Sequence, residues 1–73
     1  MGLKWHDAEE IALRLFQKMP DVDPLSVRFT DLRRWVVELD EFGDDPAATN
    51  EGILERIQMA WLEEYQASRG EGS

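Results

Sequence analysis

Cysteine is absent from this chain of 73 residues, and histidine occurs once. The first absence excludes structural disulfides, a thiolate nucleophile, Cys-ligated zinc and Cys-ligated iron–sulfur clusters. The second excludes a multi-histidine metal site, and His6, between Trp5 and Asp7, reads as a packing or surface residue. Apolar runs are short, and none approaches the ~20 residues a membrane-spanning helix needs, so no membrane partner is expected. The opening MGLKWHDAEE has no apolar signal region, and His6 stands where a myristoylation motif has Ser or Thr. A cytoplasmic location is the expectation. Basic residues are scarce, with 8 Lys and Arg against 16 Asp and Glu and a net charge of −8. Such a surface repels phosphates, which argues against nucleic acid as a partner. Excess carboxylate keeps a small protein soluble, and it also suits a cation or a basic protein surface. No Gly-rich phosphate loop, Ser/His/Asp order or buried-looking acid pair is present, so the chain is not read as an enzyme.

What is present suffices for one small core. A chain of this length buries roughly 60% of its unfolded surface, and three Trp, three Phe and the Leu, Ile and Val residues can fill it. Ala8, Ile11, Ala12, Leu15, Phe16 and Met19 recur at helical spacing, with Asp7 as N-cap, Glu10 as its capping-box partner and Pro20 as the stop. DVDPLS at 21–26 is turn chemistry: Asp23 caps a single turn that begins at Pro24. Val27–Phe29 reads as a short extended piece. A second helix is expected from about Asp31 to Glu41, capped by Thr30, with Leu32, Trp35, Val36 and Leu39 on its buried face. Gly43 supplies its left-handed stop and Pro46 bars continuation. Thr49 or Asn50 caps a third helix that buries Ile53, Leu54, Ile57, Ala60, Trp61 and Tyr65. The expectation is a mainly α, three-helix domain over 1–67 with short extended segments, followed by a flexible polar tail over 68–73.

The exit of the second helix carries the most distinctive chemistry. Glu38, Asp40, Glu41, Asp44 and Asp45 gather there, with no Lys or Arg between Arg34 and Arg56. At about 100° per residue, Asp31, Glu38 and Glu41 share one flank and lead toward Asp44 and Asp45. Carboxylates so close raise one another's pKa and attract cations. An EF-hand does not fit: with Asp40 first, Phe42 takes a ligand position and Asp45 takes the position that needs Gly. Any metal held by Asp31, Glu38, Glu41, Asp44 and Asp45 meets hard oxygen ligands in an open, weakly selective site. The same residues with Asp40 form a candidate partner surface. Val37 points away from the apolar face, toward either the chain before Phe29 or a partner.

The chain resembles the IscX family, small acidic proteins of the bacterial iron–sulfur cluster (Isc) assembly system. The resemblance rests on MGLKW at 1–5, Asp7, PDVDP at 20–24, VRFTDL at 27–32, Trp35, Leu39 and Phe42. It continues through DDP at 44–46, NEGILERI at 50–57 and WLEE at 61–64. His6 stands where the family often has Thr, Val37 where a Cys can occur, and the chain runs on past Tyr65. The resemblance implies a winged-helix-like fold and a modulator of cluster assembly rather than an enzyme, and a monomer is expected. It implies docking on the PLP-dependent cysteine desulfurase of that system, at a basic surface also used by frataxin and ferredoxin. It also implies weak binding of Fe²⁺ through acidic side chains. An iron-donating chaperone and an unrelated acidic protein-binding regulator are the alternatives. Lacking cysteine, the protein cannot accept sulfur covalently or hold a cluster through thiolates.

Overall fold

The computed structural model describes residues 2–70. Three helices follow a short lead-in: α1 (Ala8–Lys18), α2 (Phe29–Val37) and α3 (Glu51–Ser68), with one 3-10 turn at Pro24–Ser26. The domain is small and mainly α. Ile11, Ala12 and Leu15 of α1, Leu32 and Val36 of α2, and Leu54, Ile57 and Trp61 of α3 meet in one core closed by Trp5 and Leu39. Each aliphatic side chain buried there contributes about 1.5–3 kcal/mol relative to exposure. α1 and α3 form the main helix pair, and α2 packs against both. No helix among the described residues is long and apolar enough to cross a membrane.

The caps differ in part from their sequence signals. Asn50 caps α3 as expected, its Oδ1 accepting from the Ile53 N–H at 3.0 Å, and Asp23 caps the turn by accepting from the Leu25 N–H at 3.0 Å. Asp7 occupies the N-cap position of α1 but makes no side-chain cap. Its carboxylate instead accepts from the Lys4 N–H at 2.9 Å and closes the turn that leads into the helix. Thr30 is not the N-cap of α2, because that helix starts at Phe29 with Arg28 before it. Gln58 Nε2 donates to the Pro24 carbonyl at 2.9 Å and lies 3.5 Å from the Val27 carbonyl. The extended Val27–Arg28 pair therefore finds a side-chain donor in place of a strand partner.

α2 also ends early, at Val37 rather than Glu41. Beyond it the backbone tightens, with the Leu39 N–H bonded to the Val36 carbonyl and the Phe42 N–H to the Leu39 carbonyl. This winding sends Leu39 into the core and brings the Phe42 ring edge-on to Trp5 at 4.9 Å. Gly43 is not a left-handed stop, since the one Gly with positive φ among the described residues is Gly70, just after α3. Close approach explains Gly43 instead: a Cβ there would lie 2.7 Å from the Cα of Gly2. The Leu3 N–H donates to the Glu41 carbonyl at 2.6 Å and the Gly43 N–H to the Leu3 carbonyl at 2.8 Å. These bonds make a single parallel bridge between Leu3 and Phe42. Among the described residues no strand or wing forms around it, so the winged character implied by the resemblance is not seen there.

Trp35 is only half-buried, standing edge-on to Trp61 with ring centroids 6.4 Å apart. Val37 is half-buried against the core, so it is not a bare apolar spot on the surface. α3 continues to Ser68, and the Arg69 guanidinium lies 5.0 Å from the centre of the Tyr65 ring. Residues 71–73 of the expected tail lie outside the described residues.

Candidate functional site

Because α2 stops at Val37, the acidic residues do not follow one helical ridge; they separate into four settings. Asp31, half-buried in the first turn of α2, pairs with Arg34 at 3.2 Å. Glu38 is exposed at the helix exit, and neither it nor Asp40 has an ion-pair partner among the described residues. Asp40 and Glu41 border a shallow pocket shared with Arg14 and Lys18 of α1. Arg14 Nε lies 3.8 Å from the Glu41 carboxylate, an ion-pair distance too long for a hydrogen bond.

Asp44 and Asp45 work mainly on the loop itself. Asp44 accepts from the Trp5 N–H at 3.1 Å through one oxygen and from the Asp45 N–H at 2.7 Å through the other. Asp45 accepts from the Ala47 N–H at 3.0 Å, and its carbonyl receives the Trp5 indole N–H at 2.7 Å. Trp5 is thus held by its ring in the core and by both its nitrogens on the loop. The gap in basic residues along the sequence is filled in space: Lys4 Nζ donates to the Gly43 carbonyl at 3.1 Å and Arg33 Nε to the Pro46 carbonyl at 3.2 Å. Turn chemistry in DDP and the glycines at 2 and 43 were the available signals for this crossing. Sequence periodicity could not supply it, because the partners lie some 40 positions apart, as between Trp5 and Asp45.

The backbone N–H groups of Trp5 and Asp45 hold the Asp44 carboxyl below its ordinary value of 3.8, and Lys4 and His6 add to the effect while partial burial opposes it. A depressed folded-state pKa gives stability that is complete above the unfolded value and is lost as pH falls through the folded one. Asp44→Asn is therefore expected to melt below the parent at neutral pH. The gap should close as pH drops beneath 3.8 and the parent's own carboxylate protonates. Thermal melts followed by circular dichroism between pH 7 and 2 check this, and a constant gap across that range would remove Asp44 from the account.

Among the described residues no three Asp, Glu or His side chains are placed as a metal's ligand set. Asp31, Glu38, Glu41, Asp44 and Asp45 are thus not gathered into one cage, and two of them are already engaged by backbone donors.

Residues 3–66 match the family described as iron-sulphur cluster assembly. The chain belongs to that family. It is also 59% identical over 64 residues to an uncharacterized protein of Pseudomonas aeruginosa, a match covering 88% of this chain and 97% of that protein. The resemblance to IscX is therefore upheld over nearly the whole length. Members of the family are non-catalytic adaptors, and at the α2 exit Glu38, Asp40 and Glu41 are exposed next to a loop hydrogen-bonded through Asp44 and Asp45.

Proposed function

We propose that this protein is an adaptor that docks electrostatically on the cysteine desulfurase of iron–sulfur cluster assembly and tunes its output. The observation that carries the reading is the exposed, unpaired pair Glu38 and Asp40 beside Glu41, on a chain of net charge −8 that belongs to the assembly family. Exposed charge arrays speed encounter and fix register on a basic surface. Asp31 flanks this array and contributes less, because Arg34 neutralises it locally. Asp44 and Asp45 shape the loop that presents the array. A monomer acting in the cytoplasm, and competing with frataxin and ferredoxin for one basic surface, is part of the same reading.

Iron enters this reading as weakly held cargo. Fe²⁺ is expected at the open carboxylates with hard-oxygen selectivity, so an excess of Mg²⁺ or Ca²⁺ should displace it. An iron-donating chaperone is less well supported, because no ligand cluster is preassembled among the described residues. The test compares desulfurase binding and cysteine turnover with and without an iron chelator. Adaptor function predicts that both effects persist in chelator. Their disappearance would favour iron delivery, and iron binding that survives a large excess of Mg²⁺ would contradict the open carboxylate site.

A further inference from the structure

Away from the α2 exit, two adjoining hollows lie between the start of α1 and the middle of α3, sharing Glu9, Glu10, Ala60 and Glu63. The larger has a volume of about 550 Å³. Ala8, Ala60 and Met59 give it an apolar lining, and Met59 is 47% exposed although large and hydrophobic. Asp7, Glu9, Glu10 and Glu63 set carboxylates around that lining, against Arg56 and His6. Among the described residues the side chains of Glu9, Glu10 and Glu63 form no ion pair or hydrogen bond. None of these residues belongs to the Glu38–Asp45 segment.

We propose that this groove is a second docking surface, which takes a basic amphipathic helix of another protein. Apolar side chains of the incoming helix lie against Met59 and Ala60, while its Lys or Arg residues pair with Glu9, Glu10 and Glu63. Amphipathic helices bind apolar grooves in this way, and flexible methionine adapts to their side chains. Charge selects the occupant. A second copy of this chain would set carboxylates against carboxylates at a net charge of −8 each. The inference stands apart from the α2-exit reading, because it uses another face and other residues.

The probe is a fluorescein-labelled synthetic helix with leucines on one face and lysines on the other, added to the full chain at low salt. Fluorescence anisotropy and amide NMR shifts are read together. The expected shifts centre on residues 7–10 and 56–64. Glu9→Lys with Glu63→Lys should weaken binding at least about tenfold, and Met59→Gln should weaken it several-fold. Glu38→Lys with Asp40→Lys should leave it near the parent value. Shifts centred on 38–45, equal weakening by the two double reversals, or absence of binding would each overturn the proposal. A parent that sediments as a dimer through the groove would overturn it too. The NMR map uses the unaltered chain, so the result does not depend on any variant folding.

Discussion

Trp61→Ala is expected to cost about 3–5 kcal/mol of folding stability, the usual range for emptying a fully buried aromatic site. Trp61 has no exposed surface and sits where α3 meets the rest of the core. A domain of this size holds on the order of 5 kcal/mol in all, so the variant should be largely unfolded at physiological temperature. Trp35→Ala should cost less, because Trp35 is half-buried against the core, where it stands edge-on to Trp61. Such aromatic pairs add about 0.5–1.5 kcal/mol beyond area burial. Urea titrations of the two variants measure the difference directly. A Trp35→Ala variant less stable than Trp61→Ala would place the centre of the core wrongly.

The second large effect concerns binding. Reversing Glu38, Asp40 and Glu41 to Lys should weaken association with the desulfurase on the order of 100-fold, through lost attraction and new like-charge contact. The fold should survive. Glu38 and Asp40 are exposed and unpaired, and the Glu41 contact with Arg14 is long and partly solvated, so stability should change by no more than about 1 kcal/mol. Asp44 and Asp45 are unsuitable for this test, because replacing them removes acceptors for Trp5, Asp45 and Ala47. A reversal there would confound docking with detachment of the lead-in.

The helices were legible because their signals are local. Apolar spacing marks the buried faces of α1 and α3, Pro20 the end of α1, and the Thr49-Asn50 pair the start of α3, where Asn50 is the cap. The α2 exit was misread for a physical reason. Leu39 keeps helical spacing with Leu32 and Val36 and is buried with them, yet it reaches the core from a tightened turn beyond the helix. A hydrophobic pattern records which side chains are buried and not which backbone carries them. Gly43 was similarly ambiguous, since a left-handed stop and a close backbone crossing both call for a missing Cβ. The acidic residues were correctly seen as concentrated along the chain. Their separation in space follows from the end of α2 at Val37 and from the backbone donors that engage Asp44 and Asp45, which helical periodicity does not record.

The Glu38–Glu41 array is proposed to dock this protein on a basic surface of the desulfurase. Calorimetric titration of purified desulfurase tests it most directly, with the parent and the Glu38→Lys, Asp40→Lys, Glu41→Lys variant compared across a salt series. Screening shortens from about 30 Å at 0.01 M to about 3 Å at 1 M salt, so parent affinity should fall steeply over that range. The reversed variant should bind on the order of 100-fold more weakly than the parent at low salt, while its melting temperature stays close to the parent's. A reversed variant that binds as tightly as the parent, or a parent affinity indifferent to salt, would contradict the account.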